Sequence, residues 1–300
     1  MFLCVMVIRS MHIASATIVA VSGPEGLGVV CTPGGCHQVG VLIRSALVAL
    51  SGIFGALAAL SYLEDARESY LEERHRVRAE ADALEAFTDR VRRLSPDGPA
   101  RATPGAPTAL VQPSTTGVEP VREAYRETVM AVDHYAEDYD EPLAEHMRSE
   151  FGPDVTDAVL GGERLPPGLK RGLVAAAERC LAERETFLED LTAERDALES
   201  AAGPLRSIDD ALDDVRAEPT IASFDDLVDR WRRLDRLETA CTQVVDDRRA
   251  SLAARDAFDL AAYLYASIGS PYPVVANAAS LTGAIREQRR RTIDMLTRVV

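Results

Sequence analysis

The densest set of residues that could do chemistry lies between 133 and 150: Asp133, His134, Glu137, Asp138, Glu141, Glu145, His146 and Glu150. On one continuous helix His134, Asp138 and Glu141 share a face, which is the spacing a metal ligand set uses. Pro142 restarts the helix, so His146 need not fall on that face. A di-iron bundle needs Glu-x-x-His pairs on two helices, with further glutamates on two more. The one Glu-x-x-His, Glu72 to His75, lies far from this cluster in sequence. In a chain with 48 acidic residues such groupings arise freely. The cluster therefore reads as a solvated face with carboxylates at helix ends, and no metal or cofactor is expected.

Other chemistries find less. No histidine follows His146, and neither Cys180 nor Cys241 has a histidine or a basic cluster beside it in sequence, so nucleophilic catalysis has no partner set. Both cysteines lie on apolar helical faces and read as small core residues. Cys31 and Cys36 flank a Thr-Pro-Gly-Gly turn, as a disulfide or as free thiols in a loop; no C-x-x-C exists to form a zinc ribbon. Gly23, Gly26 and Gly28 do not make the dinucleotide fingerprint, and Gly168–Arg171 lacks phosphate-loop spacing. Phe258, Tyr263, Tyr265 and Tyr272 gather near a helix junction and read as packing at a bundle end or the wall of a small pocket. Arg286, Arg289, Arg290 and Arg291 form the one basic cluster, suited to an anionic partner or to a solvated helix near its C-terminus. An enzyme is not expected.

The elements that must position these residues begin with a membrane signal. Ser45 to Leu63 is 19 residues without a charge, and the apolar stretch reaches back to Val39 with Arg44 as its one interruption. At about 1.5 Å per residue it covers roughly the ~30 Å hydrocarbon layer. Residues 39–63 are read as a transmembrane helix, preceded by a poorly ordered segment, 1–38, whose start is Met1 or Met11. Small residues Ser51, Gly55 and Ala59 recur every fourth position, a spacing that lets helices approach in lipid. The pattern then becomes heptad-like through Leu63, Tyr70, Val77, Leu84 and Val91, with companion positions that include charged Glu73 and Glu80. Residues 64–94 form a stalk: either a parallel coiled coil in a homodimer or an amphipathic helix leaning on the main domain. Arg67, Arg74, Arg76 and Arg78 after the span, against Arg9 and Arg44 before it, orient the C-terminal part toward the cytoplasm.

A proline-rich linker, 95–120, separates the stalk from a helical domain, 121–300. Helical periodicity predicts Val121–Tyr139, a restart at Pro142 ending near Phe151–Pro153, and a short helix over Asp154–Leu160. A long helix should run from about Leu169 to Ala202, kink at Gly203–Pro204 and continue through Leu205, Ile208, Leu212 and Val215. After Pro219, Ser223 should cap a second long helix with a stripe of Leu227, Trp231, Leu234, Cys241, Val245 and Leu252. These two should form an antiparallel hairpin, and a last helix follows Ser270–Pro273. The fold class is all-α.

The net charge is −15, and since residues 1–63 hold only Arg9, Arg44 and Glu25, the remainder carries −16. Lys170 is the single lysine beside 32 arginines. A dense carboxylate surface with little lysine suits molar salt, where repulsion is screened within a few ångströms. Such a surface argues against nucleic acid, which needs a basic stripe.

Two passages, VREAYRETVM at 121–130 continuing to EFGPD at 150–154, and YLYA at 263–266 continuing to YPVV at 272–275, resemble a haloarchaeal family of helical proteins classed as a domain of unknown function. The resemblance covers roughly residues 64–300 without the linker. It implies a charged helix, a linker and a helical domain, sometimes behind a membrane span, and carries no activity or site residues. The function expected is a membrane-anchored, non-catalytic interaction or scaffold module, with a membrane-linked signalling component as the alternative. The expected partners are the lipid bilayer and a second copy of the chain.

Overall fold

The computed structural model describes residues 29–32, 35–38, 61–97, 117–218 and 223–299. The antiparallel pair β1 (Val29–Thr32) and β2 (Gly35–Gln38) sets Cys31 opposite Cys36, where the sequence suggested only a glycine- and proline-rich loop. All other regular structure among the described residues is helical. Residues 39–60, which hold most of the expected span and all of Ser51, Gly55 and Ala59, lie outside the described residues. Among those described, no helix is long and apolar enough to cross a membrane.

The helices are α1 (Ser61–Arg93), α2 (Glu119–Glu127), a 3-10 turn (Val129–Ala131), α3 (Tyr135–Asp138), α4 (Leu143–Phe151), α5 (Pro153–Gly161), α6 (Pro167–Ala217), α7 (Phe224–Arg255), α8 (Phe258–Leu264) and α9 (Pro273–Val299). They form two compact units. Of the described helical residues, one is built on Leu71–Ala193, the other on Glu194–Val299 together with Ser61–Tyr70. The boundary between units therefore does not fall at the proline-rich linker.

In the first unit the stalk helix is part of the core. Leu84, Phe87 and Val91 of α1 share one apolar cluster with Val121 and Tyr125 of α2, Met147 and Phe151 of α4, Val159 of α5, and Leu173 and Cys180 of α6. Phe87 stacks on Phe151 at 5.5 Å and meets Tyr125 edge-on at 5.4 Å. The heptad seam is thus occupied within one chain: Leu63, Tyr70, Val77, Leu84 and Val91 are all buried. Helix α1 thus lays an apolar face on its own domain. The linker ends are tied down at one place. Asp97 N–H donates to Leu165 O (2.8 Å), and Leu165 N–H donates to the Asp97 carboxylate (2.6 Å). Gly117, at φ 124°, lies so close that a Cβ would sit 2.6 Å from Glu163 O, so only glycine fits.

The helix expected over Val121–Tyr139 is broken into three pieces. Thr128 turns its hydroxyl back to Ala124 O (2.7 Å) at φ −120°, and Val132 is extended. The break has a packing reason. On a straight helix His134 would point about half a turn away from Tyr125, yet both are buried in the same unit. Pro142 precedes α4 as its N-cap instead of occupying the first turn.

Helix α6 continues through Gly203 and Pro204 to Ala217. Proline removes one backbone hydrogen bond, while Gly203 has no Cβ to crowd its ring. In the second unit the residues of α6 from Glu194 onward run antiparallel to α7. Glu218, just past the end of α6, pairs with Arg233 (2.5 Å), and Glu194 pairs with Arg248 and Arg255 farther along α7. Ser223 caps α7 with a reciprocal capping box to Asp226, as its position before the apolar stripe predicts. Helix α9 packs along α7.

Placing α1 in the core gives a direct test. Phe87→Ala in the full chain should cost about 3–5 kcal/mol in denaturant unfolding, the loss typical of a large aromatic in a packed core. Leu71→Ala on the same helix, about half exposed, should stay within roughly 0.5 kcal/mol. Equal, small effects at both sites would show a helix outside the core.

Candidate functional site

The first unit buries a chain of charges at the meeting of four segments. Arg184 of α6 donates through Nε to Glu80 of α1 (3.3 Å) and through Nη2 to Glu150 of α4 (2.6 Å). All three side chains are largely enclosed, with Arg184 only 6% exposed. Glu80 also accepts from Tyr139 OH (2.8 Å) and from His134 Nε2 (3.2 Å), the segments on either side of α3. An ionised carboxylate can only accept, so the Nε2 of His134 carries the proton here. Burial opposes the Glu80 charge, but the His134 and Tyr139 hydrogen bonds and the Arg184 cation outweigh it and hold its carboxyl below the usual range. Burial also pulls Arg184 down, and the Glu150 and Glu80 carboxylates more than reverse it. Burial pushes the Tyr139 phenol far up, reinforced by Glu80.

Beside this chain sits His146, 3% exposed. Its Nδ1 lies 2.7 Å from Tyr125 OH, and the rings of Tyr125, Tyr135 and Tyr139 stand edge-on around it at 5.8, 5.0 and 4.8 Å. Burial lowers its pKa. The Glu150 and Glu80 carboxylates offset part of that, while Arg184 adds to it. A cavity of about 10 Å³, lined by Glu80, Leu84, Val129, Val132, Tyr139, His146, Glu150 and Arg184, adjoins the ring. That volume holds no more than a water molecule.

The face that His134, Asp138 and Glu141 would share on one continuous helix does not form. His134 turns to Glu80, Asp138 binds Arg76 of α1, and Asp140 takes a left-handed φ of 45° before Glu141. Arg76 also holds Glu72 (2.7 Å) and Glu137 (3.2 Å). Among the described residues no group of three His, Cys, Asp or Glu side chains is placed to hold a metal. Cys180 donates to Glu150 O (3.1 Å), and burial pushes its thiol up to about 12, so it stays protonated.

The second unit has its own buried charge. Glu194 is fully enclosed and takes both arms of Arg248 (2.5 and 3.1 Å), one of Arg255 (3.1 Å) and the hydroxyl of Tyr265 (2.7 Å). The expected aromatic group is split, because Tyr265 turns inward to Glu194 while Phe258 and Tyr272 meet edge-on at 6.4 Å near the surface. The basic cluster is neutralised at home. Arg286 and Arg289 both bind Glu238 of α7, Arg289 also lies over Trp231 at 4.9 Å, and Arg290 and Arg291 both bind Glu287. The lone lysine has a place that composition does not suggest: Lys170 Nζ donates to Arg92 O (2.6 Å) and Leu94 O (2.7 Å), closing the carbonyl end of α1.

Residues 61–289 match the family described as a domain of unknown function, DUF7260. The chain belongs to this family. Comparison with curated proteins and with solved structures found no match. The matched span begins with α1, so the DUF7260 domain includes the helix that the sequence set apart as a stalk, and it holds both buried charge centres. It also contains the two passages, 121–154 and 263–275, on which the resemblance rests.

The charge states make the DUF7260 domain acid-sensitive in two steps. His146 is harder to protonate folded than unfolded, so its stabilising effect is complete above its ordinary value of 6.5 and is lost as pH falls below it. Glu80, held below its ordinary 4.5, contributes fully above that value and is lost below it. Denaturant unfolding between about pH 8 and pH 4 should therefore show a decline that starts near 6.5 and steepens near 4.5. His146→Gln should flatten the upper part and keep the lower. An unaltered upper decline in that variant would assign it elsewhere.

Proposed function

We propose that this DUF7260 chain is a membrane-tethered, non-catalytic helical scaffold that works in molar salt. The observation that carries the reading is the run of 19 uncharged residues, Ser45–Leu63, whose last three residues are already the first turn of α1. A single helix passing from lipid into the packed domain needs no joint, because Ala66, Tyr70 and Val77 continue it as a buried face. The arginines that follow the run favour the cytoplasmic side for the domain. The −16 charge beyond residue 63 favours solubility at high salt over any acidic or basic recognition surface. The side chains best suited to chemistry support a structural role, since Glu80, His134, Glu150 and Arg184 are engaged with one another. With Tyr70, Val77, Leu84 and Val91 covered inside one chain, the face left for pairing two copies is Ser51, Gly55 and Ala59.

Fractionation tests the tether. In about molar salt the full chain should sediment with membranes, and a chain lacking residues 39–60 should move to the high-speed supernatant with its helical circular dichroism intact. A full-length chain found in the supernatant would remove the tether from the account.

A further inference from the structure

The carboxylate of Glu150 is used on one side only. Its Oε1 accepts from Arg184 (2.6 Å), whereas Oε2 is buried without a hydrogen-bond partner, on a side chain only 8% exposed. A buried acceptor left unpaired is costly, more so when it carries charge. Glu150 lines the cavity of about 10 Å³ beside His146, and the other polar groups on that wall each have capacity to spare. His146 has spent Nδ1 on Tyr125 and keeps Nε2. Tyr139 has spent its proton on Glu80 and keeps an acceptor lone pair. Arg184 has spent Nε and part of Nη2 and keeps further N–H groups.

From this geometry we propose that the cavity is a binding site for one internal water molecule, which donates to Glu150 Oε2 and joins it to His146. The ligand must be able both to donate and to accept, since carboxylate, imidazole and guanidinium share one small space. Water does both, and the cavity is about the size that admits one. An ammonium ion only donates and would face the Arg184 cation; a divalent metal would face it too, and no ligand group for one is assembled here. The neighbouring apolar walls, Leu84, Val129 and Val132, offer the water no competing partner. The water completes the contact between α4 and the Glu80–Arg184 pair. It accounts for Glu150 being a carboxylate where one oxygen alone meets protein.

Two measurements on the full chain test the site. A crystal structure at a resolution that orders internal water should show a peak within hydrogen-bond distance of Glu150 Oε2. Val129→Ile adds one methylene to the cavity wall. If the cavity holds water, the added group expels it, strands Oε2 and lowers the Tm by about 2–4 °C. If the cavity is dry, the same group fills a void and leaves the Tm unchanged or higher. A density peak with a lowered Tm supports the site, and an empty cavity or an unchanged or raised Tm overturns it.

Discussion

The first unit depends on the burial of one cation between two anions that come from distant parts of the chain. Arg184 on α6, Glu80 on α1 and Glu150 on α4 are each enclosed, and none could remain so alone, because an uncompensated buried charge costs several kcal/mol. Apolar packing of Leu84, Phe87 and Val91 supplies the attraction that draws α1 onto the domain. It is non-directional, however, and a helix with an apolar stripe can slide by a turn. The charge chain removes that freedom, since Arg184 reaches both carboxylates in one register only. Tyr139 and His134 complete Glu80 from either side of α3, which explains why the chain must break between Thr128 and His134.

The second unit uses the same device with the signs reversed. There a single anion, Glu194, is enclosed and two arginines and a tyrosine converge on it. Bidentate capture by Arg248 fixes both the position of the carboxylate and its plane. The Glu238 pair, with Arg289 over Trp231, repeats the pattern nearer the surface, where solvent weakens it. Arginine supplies these bridges throughout, and its planar fork suits carboxylates better than an ammonium does. The one lysine is kept for a task that a compact, rotatable charge performs well, closing two backbone carbonyls at the end of α1.

Much of this was legible locally. The apolar positions Leu173, Cys180, Phe187, Leu191 and Leu198 on α6 are buried as their spacing predicts, and Ser223 caps α7 where expected. Periodicity identified which face of α1 is buried but not what covers it. A seven-residue stripe looks alike whether a second copy or the same chain packs against it. Of the two charged positions in the seam, Glu73 is buried, and Glu80, its side chain 14% exposed, is the anchor of the unit. That role could not be read from the sequence because its partner lies 104 residues away. Arg230 and Arg248 likewise sit on the buried side of α7, within strongly charged runs of the sequence. Composition pointed to an acidic surface, and the pairing of opposite charges inside it required the fold.

The measurement closest to the centre of this account is a double-mutant cycle on Glu80 and Arg184 in the full chain, read by denaturant unfolding. Glu80→Ala and Arg184→Ala should each cost about 3–5 kcal/mol, because each breaks an enclosed ion-pair network and leaves polar partners unpaired. The double variant should cost less than their sum by about 2 kcal/mol or more, the signature of residues that act together. Strict additivity, or single losses below about 1 kcal/mol, would mean that α1 is held by apolar contact alone.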